Sequence, residues 1–274
     1  MAKKIVFILA DHSNTNNIKR IRFILEKWIK RIIHKSIMSV FRSDGFVKYH
    51  FDDNVPDNVY VIPNRLNPNI KSLASIIKRD IDVEHLRFGY VGAVRYDCIY
   101  NMALTISSQF PQHDVHFFGA YPTQKETERY KKLEQYSNFY SHGSFVSPKD
   151  LPNIYEQIDL LISTYDVDSI NVRYAEPNKL YESLYFNTPI IVSKNTFLAD
   201  KVNSMSTGFS VDASNINEII SNLIDVSDNL DNYYKISNEI INNFDNNKIN
   251  YEILYNINKI NISNDNIIKE INNI

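Results

Sequence analysis

Cysteine, glycine and long apolar runs are scarce in this 274-residue chain. The single cysteine, Cys98, cannot form an internal disulfide, and its place beside the apolar run Ile99–Ile106 indicates a buried helix residue. No apolar run approaches the roughly 20 residues of a membrane-spanning helix. No signal peptide is evident, because the run that follows Lys3 and Lys4 is only Ile5–Ala10. We therefore expect a cytoplasmic protein, either soluble or held at the inner face of the membrane.

Several motifs that define enzyme classes are also missing. The chain has no G-x-x-x-x-G-K-[ST] loop of P-loop nucleotidases and no G-x-S-x-G elbow of α/β-hydrolases. Its seven histidines show no metal-ligand spacing with Cys98 or with one another. A net charge of -2 and a pI near 6.4 give no overall attraction to nucleic acid. We therefore expect neither a nucleic-acid partner nor a histidine-bound metal.

The chain does contain enough apolar sequence for one large core and a smaller unit, with 43% hydrophobic and 12% aromatic residues. Short runs of strand character alternate with helical patterns, which favours a mainly parallel sheet with helices on both faces. The strand-like runs are Ile5–Ala10, Ser36–Phe41, Val59–Ile62, Arg87–Val91, Asp114–Phe118, Asn138–Tyr140, Leu160–Thr164 and Ile190–Val192.

The segment that begins at Glu176 carries most of the functional information. Pro177 loses no needed N–H at the first position of a helix, which predicts a helix start there. Asn187 and Pro189 end this helix before an apolar strand. The N–H groups of the first helical turn have no partner within the helix and can therefore face an anion.

The charged side chains of this helix fit a nucleoside diphosphate. The backbone N–H groups of Asn178 and Lys179 face the anion, and the Lys179 side chain adds a positive charge beside the helix dipole. Glu182 lies one turn further along the same face, about 5.4 Å along the axis, where a carboxylate can accept hydrogen bonds from a ribose diol. The alternative is an ordinary amphipathic helix, in which Leu180 and Leu184 pack inward and the charged residues are merely solvated.

With its flanks, this segment resembles the donor-binding half of GT-B glycosyltransferases, especially bacterial polysaccharide-assembly enzymes with a P-N-K-x-x-E/D segment before a G-x-P-V-type strand entry. Other landmarks follow in that family's order over roughly residues 60–225, and five of the six glycines fall on them. Glycines after strands stand where the backbone turns tightly or approaches a ligand. These five are Gly89, Gly92, Gly119, Gly143 and Gly208.

The resemblance implies an α/β fold with a Rossmann-like, doubly wound parallel sheet. It implies a glycosyltransferase that moves a sugar from a nucleotide-sugar donor to a glycan or lipid-linked acceptor in surface polysaccharide assembly. No cofactor and no obligatory metal are expected. The substrate-binding residues that it implies are Gly92, Arg95, Phe145, Asn178, Lys179, Leu180 and Glu182.

Each implied residue has a role in holding the donor, and no catalytic residue is assigned. Gly92 would approach the diphosphate or the transferred sugar, and Arg95 would neutralise diphosphate charge. Asn178 and Lys179 would hold the phosphates, Glu182 the ribose, and the region of Phe145 the base.

The chain departs from the family pattern at one position. Retaining members of the wider fold often carry two glutamates eight positions apart, and the position eight before Glu182 is Tyr174. Glu176 is near but out of register, and we interpret it as a helix cap. The stereochemistry of transfer is therefore left open.

The segment Val61-Ile62-Pro63-Asn64 resembles the linker between the acceptor and donor halves of GT-B enzymes. We divide the chain into a reduced N-terminal unit (1–64), a nucleotide-sugar-binding domain (65–225) and a helical, Asn-rich C-terminal tail (226–274). An acceptor half is usually a full domain of well over 100 residues. An incomplete gene product, a split enzyme with a separate chain and a reduced donor-binding protein all fit this short unit.

A basic amphipathic helix is predicted near residues 18–35. Its apolar stripe, which includes Trp28, packs into the sheet in one interpretation and lies on anionic lipid in the other. An exposed Trp28 favours the lipid interpretation, which would suit an enzyme acting on a lipid-linked acceptor.

Two other functions remain open. Asp166 and Asp168 follow a strand, which is where metal-dependent GT-A transferases place an Asp-x-Asp pair that holds a divalent cation. The chain could also be a non-catalytic nucleotide-sugar-binding subunit that needs a partner chain or a second copy of itself.

Overall fold

The structure, a computed structural model, describes residues 6–9, 19–64, 66, 69–70, 81–222, 230 and 233, with the backbone alone for 6–9, 19–23 and 25. The predicted tail at 226–274 therefore lies outside the described residues, apart from positions 230 and 233. The elements in chain order are β1 (Val6–Leu9), α1 (Lys19–Lys35), β2 (Met38–Phe41), α2 (Asp44–Phe51), β3 (Val59–Val61), β4 (Arg87–Val91), α3 (Asp97–Gln109), β5 (Asp114–Phe118), α4 (Gln124–Lys131), a 3₁₀ turn (Lys132–Gln135), β6 (Phe139–Gly143), α5 (Leu151–Glu156), β7 (Leu160–Ser163), α6 (Ile170–Tyr174), α7 (Asn178–Tyr185), β8 (Ile190–Ser193), α8 (Phe197–Met205) and β9 (Gly208–Val211).

The larger sheet is doubly wound, as predicted. Its six strands are all parallel and stand in the order β6-β5-β4-β7-β8-β9. The chain builds outward from β4 to the edge strand β6 and then returns to the centre to start β7. Ligands of such sheets bind outside the carboxyl ends of the strands where the strand order reverses, which here is between β4 and β7.

Alternating side chains along β4 separate two cores. Phe88 and Tyr90 belong to the cluster that contains the buried face of α3, whereas Val91 belongs to the cluster of α5, α7 and α8. Gly89 permits close packing on the second face, because a Cβ there would lie 2.3 Å from Ile158 Cγ2. Helices therefore cover both faces of the sheet.

The smaller sheet precedes the predicted linker. Its three strands are parallel in the order β1-β2-β3, and every residue of β2 is buried. Ile33 of α1 and Phe46 of α2 meet Phe41 of β2 in a small core. The domain boundaries at 64 and 225 stay predictions.

Helix α1 exposes part of its predicted apolar stripe, since Trp28 is 60% exposed while Ile32 is partly buried. Beside the stripe, Ile24 is 53% exposed and Ile33 is fully buried. Helix α1 thus places apolar side chains both in the core and on the surface. No helix within the described ranges is both long enough and apolar enough to cross a bilayer.

Strand β9 was not among the eight strand-like runs identified in the sequence. It pairs with β8 from Ile190↔Gly208 to Ser193↔Val211 and completes the sheet. Gly208 is required there because a Cβ would lie 2.0 Å from the carbonyl oxygen of Ile190. The strand has four residues and contains a glycine and a serine, so its apolar signal is weak.

Candidate donor-binding site

A cavity of about 240 Å³ opens at the carboxyl ends of β4 and β7, where the strand order reverses. Residues from the loop after β4, the loop after β7, α6, the start of α7 and the end of β8 meet there. The cavity is lined by Tyr90, Ala93, Arg95, Tyr96, Tyr165, Asn171, Val172, Ala175, Pro177, Lys179, Ser193, Thr196 and Leu198. Arg95 and Lys179 are cations, and this lining contains no carboxylate, so the cavity favours an anion.

Aromatic rings hold both cations in place. The Nζ of Lys179 lies 5.2 Å from the ring centre of Tyr90 and 6.0 Å from that of Tyr165. Arg95 stands over the ring of Tyr96 at 5.1 Å, and its Nη2 donates to the Tyr96 hydroxyl at 3.0 Å. This hydrogen bond raises the pKa of Arg95. Arg95 therefore remains charged, and both side chains are directed toward the cavity.

Gly92 lets Lys179 approach the turn after β4. It adopts φ +138°, and a Cβ at this position would lie 2.9 Å from the Lys179 Nζ. The turn after β5 packs against Gly92, because a Cβ on Gly119 would lie 1.8 Å from the Gly92 carbonyl oxygen. The structure thus brings together Gly92, Arg95 and Lys179, three of the residues predicted to bind the donor.

The first turn of α7 forms one wall of the cavity. Pro177 has φ -75° and ψ 155° and is the N-cap residue, one position before the helical position that we predicted for it. No side chain caps this helix end, so the N–H groups of its first turn have no partner from a capping side chain. Pro177 and Lys179 line the cavity, and Asn178 is exposed beside it.

Glu182 lies one helical turn beyond Lys179 and outside the cavity lining. Its Oε2 accepts a hydrogen bond of 2.9 Å from the Tyr155 hydroxyl. Burial raises the pKa of Glu182, and the Tyr155 hydrogen bond and the charge of Lys179 oppose that rise. A hydroxyl-rich ligand would supply further hydrogen bonds to the carboxylate.

Two predicted site residues lie in the core next to the cavity. Leu180 is fully buried in the cluster of α5, α7 and α8, and its N–H donates to the Pro177 carbonyl at 3.2 Å. Its side chain therefore has a packing role and does not reach the cavity. Phe145, in the loop after β6, is half-buried and packs against the same cluster. It does not line the cavity either.

Glu176 does not cap the helix, contrary to our interpretation. It is 1% exposed, and its Oε2 lies 2.7 Å from the Nζ of Lys201. The Tyr181 hydroxyl donates to its other oxygen. The glutamate therefore connects α7 to α8 through Tyr181 and Lys201.

Asp166 caps a helix in this structure. Its two carboxylate oxygens accept from the backbone N–H groups of Asp97 and Cys98, each at 3.0 Å, at the start of α3. Asp168 is exposed in the same loop. Residues 81–222 and the other described positions contain no group of three or more His, Cys, Asp or Glu side chains placed to hold a metal.

The tyrosines that line the cavity were missed by the sequence analysis. Tyr90 and Tyr165 lie at the ends of predicted strands, and Tyr96 follows the glycine turn. Residues directly after parallel strands face the ligand edge of such a sheet, and that rule would have identified them. Ser193, the last residue of β8, and Thr196, in the loop after it, follow the same rule.

A doubly wound sheet with a cation-lined cavity at its switch point defines a Rossmann-like α/β protein, the class of fold in which nucleotides bind at this edge. Residues 78–243 match the model of one family, described as glycosyl transferases group 1, over more than half of the chain. The chain belongs to this family. No curated protein matches the chain in sequence.

Solved glycosyltransferase structures share the fold. HepE from Anabaena, solved with UDP and glucose, is 12% identical over 93% of this chain and 71% of its own, with a TM-score of 0.67. A TarM mutant from S. aureus, solved with UDP and other ligands, is 13% identical over 93% of this chain and 51% of its own, with a TM-score of 0.67. A glycosyltransferase from Rickettsia africae is 18% identical over 94% of this chain and 71% of its own, with a TM-score of 0.62. These similarities confirm the GT-B resemblance. The metal-binding alternative for Asp166 and Asp168 stays a prediction.

Proposed function

We propose that this glycosyltransferase binds the diphosphate of a nucleotide-sugar donor in the cavity between β4 and β7. One observation carries the proposal. Arg95, Lys179 and the uncapped start of α7 converge on a cavity at the switch point of the sheet, and no carboxylate lines it. Lining residues of this kind match a diphosphate, which carries negative charge and several acceptor oxygens.

The same groups would assist sugar transfer by stabilising the departing diphosphate. Negative charge develops on the leaving group as the bond to the sugar breaks, and fixed cations and N–H groups lower the energy of that state. Lys179 and Arg95 would neutralise the charge, with no obligatory metal. Gly92 would leave room for the diphosphate or the sugar beside Lys179.

The rest of the donor would extend along α7. Glu182 would accept hydrogen bonds from the ribose hydroxyls, since it lies one turn from Lys179. The base would lie toward the loop that contains Phe145. Asn178, exposed at the helix start, would offer its backbone N–H to a phosphate oxygen.

We further propose a glycan or lipid-linked acceptor in surface polysaccharide assembly, with the catalytic base still unassigned. The structure leaves the N-terminal sheet small, with three strands in the described part of the chain. The alternative of a binding subunit, completed by a partner chain or a second copy, therefore remains. Steady-state sugar transfer by the purified chain alone would decide against a separate partner chain, and transfer by the chain as a monomer would decide against a second copy.

Helix α1 supports contact with the inner face of a membrane. Ile24 and Trp28 stand one turn apart and are 53% and 60% exposed, and Lys30 and Arg31 are exposed next to them. Apolar side chains flanked by cations match the interface of an anionic bilayer. We propose that this surface binds anionic lipid. Contact with the membrane would then bring the cavity close to a lipid-linked acceptor.

Calorimetric titration with UDP, GDP and TDP, each with and without EDTA, tests the donor site. We expect one of these nucleotides to bind equally well in both conditions, because Arg95 and Lys179 supply the positive charge. Loss of binding in EDTA would contradict the metal-independent site. Failure of all three nucleotides to bind would contradict the donor site itself.

A further inference from the structure

The backbone just before α7 receives two hydrogen bonds from side chains of the N-terminal unit. The Ser43 hydroxyl donates to the Tyr174 carbonyl, and the Asn64 amide donates to the Glu176 carbonyl. Ala175, which lies between these two carbonyl groups, lines the cavity. The position of this wall is therefore set in part by residues more than 100 positions earlier in the chain.

Arg42 fixes the orientation of the Asn64 amide. Its Nη2 and Nε donate to the Asn64 Oδ1 at 2.7 and 3.2 Å. A guanidinium can only donate, so the amide oxygen must face Arg42 and the amide nitrogen must face the Glu176 carbonyl. The remaining nitrogen of Arg42, Nη1, is buried and has no hydrogen-bond partner among the described residues. Burying that nitrogen costs free energy, which makes a simple packing role a poor explanation of this arginine.

Close packing leaves little freedom between the two units at this point. Gly45 of α2 faces the Tyr174 carbonyl, and a Cβ on it would lie 2.5 Å from that oxygen. The rings of Tyr49 and Tyr174 are 5.0 Å apart. The segment 174–176 is thus held by side-chain hydrogen bonds and by direct contact with α2.

We propose that Arg42 and Asn64 are positioning residues for the donor site, a role that rests on the function proposed above. Neither residue lines the cavity. They act through the Glu176 carbonyl, which immediately precedes Pro177 and the first turn of α7. By fixing this carbonyl they aim the N–H groups of Asn178 and Lys179 at the phosphates.

The sharpest variant is Asn64→Asp, because it has nearly the same shape and keeps an oxygen for Arg42. It replaces the N–H that binds the Glu176 carbonyl with an acceptor oxygen and adds a negative charge beside Arg42, whereas Asn64→Ala removes the same N–H without adding charge. Asn58→Ala is the control matched to Asn64→Ala, since the Asn58 amide nitrogen also donates to backbone carbonyls, those of Ile33 and Ser36 at 2.8 and 2.9 Å, but these contacts stay within the N-terminal unit. Arg42→Lys and Arg42→Ala complete the series.

Hydrogen exchange of the nucleotide-free proteins gives a readout that does not depend on binding. We expect faster exchange over residues 174–180 in Asn64→Asp and Arg42→Ala, and wild-type exchange there in Asn58→Ala. Arg42→Lys should fall between Arg42→Ala and the wild type, because a lysine can make one hydrogen bond to the Asn64 oxygen. Unchanged exchange over 174–180 in Asn64→Asp would overturn the proposal.

Nucleotide affinity tests the consequence for the donor. We expect Asn64→Ala and Asn64→Asp each to weaken UDP binding by about tenfold and uridine binding much less, because only UDP uses the start of α7. The loss in Asn64→Ala cannot come from an added negative charge, so this variant carries the test. Adding Arg42→Ala to Asn64→Asp should cause little further loss, since Arg42 acts through Asn64. Equal losses for UDP and uridine would contradict the positioning role. A wild-type chain that binds none of the tested nucleotides would overturn the donor site, and the exchange result would still decide the role of Arg42 and Asn64.

Discussion

The two sheets of this chain use their carboxyl edges differently. In the six-stranded sheet the loops after β4, β7 and β8 surround a cavity that contains Arg95 and Lys179. In the three-stranded sheet the residues after β2 and β3 reach across to the other unit, where Ser43 and Asn64 bind backbone carbonyls. The edge of the six-stranded sheet would present charged groups to a ligand. The edge of the three-stranded sheet supports the segment 174–176, which leads into the helix that carries Lys179. The proposed donor site therefore depends on the junction of the two units and not on a single domain.

The largest expected effect comes from removing Lys179, one of the two cations that line the cavity. Lys179→Ala should weaken UDP binding by about 10- to 100-fold, because a charged hydrogen bond to phosphate is lost, while uridine binding should change little. Calorimetry with both ligands measures the difference. Lys194→Ala is the control, since Lys194 lies 2.6 Å from Glu218 and does not line this cavity. Similar losses in the two variants would point to a general charge effect.

Two glycine substitutions, compared with each other, distinguish the effect of backbone strain from the steric displacement of Lys179. Gly92→Ala and Gly143→Ala both place a Cβ on a residue of positive φ, +138° and +75°, so each should cost on the order of 1–3 kcal/mol of stability. Only Gly92→Ala also brings a Cβ within 2.9 Å of the Lys179 Nζ, since nothing lies within 4 Å of a Cβ at Gly143. UDP affinity should therefore fall about tenfold in Gly92→Ala and remain near wild type in Gly143→Ala. Equal affinities would show that Gly92 has no role beyond its turn.

The exposed surface of the N-terminal unit can be tested on vesicles. Trp28→Ala should lower binding to vesicles of anionic lipid by roughly tenfold, because a large side chain leaves the interface. Binding of the wild type should weaken in high salt, since Lys30 and Arg31 are screened. Cosedimentation at two salt concentrations provides the measurement. Equal binding to neutral and to anionic vesicles would contradict a role for Lys30 and Arg31 in the proposed membrane contact.

The pH dependence of Glu182 should give the smallest effect. Burial raises the pKa of Glu182 above its ordinary value, so the folded protein holds this proton more tightly than the unfolded chain does. The free energy of unfolding should therefore fall as pH rises from the ordinary glutamate range through the raised pKa, and Glu182→Gln should lack this component. Urea titrations across this range compare the two proteins. UDP affinity of the wild type should rise over the same interval, as the carboxylate becomes an acceptor for ribose hydroxyls.

Much of the donor side could be predicted because its signals are local. The apolar runs identified eight of the nine strands in the described part of the chain, and the glycine positions identified the turns. Lys179 and Gly92 were found because a helix start and a strand end are visible within a few residues. Strand β9 was missed, since four residues with a glycine and a serine resemble a loop.

Features that depend on distant pairs could not be predicted in this way. Asp166 was considered as a metal ligand in one alternative, because nothing in its own segment shows that it caps a helix 69 positions earlier. Glu176 was expected to cap α7 and instead pairs with Lys201. The contact between Asn64 and Glu176 spans 112 positions, and only the folded chain brings the two together.

The contact at Asn64 also affects where this chain can be divided into separate domains. The sequence marks Asn64 as the end of a linker, which makes the following position an attractive place to cut when the donor-binding half is to be produced by itself or transplanted into another transferase. A cut there would discard both side chains that hold the 174–176 carbonyls. A chimera that begins upstream of Arg42 would retain them, so the smallest transplantable donor module is larger than the domain that the sequence delimits.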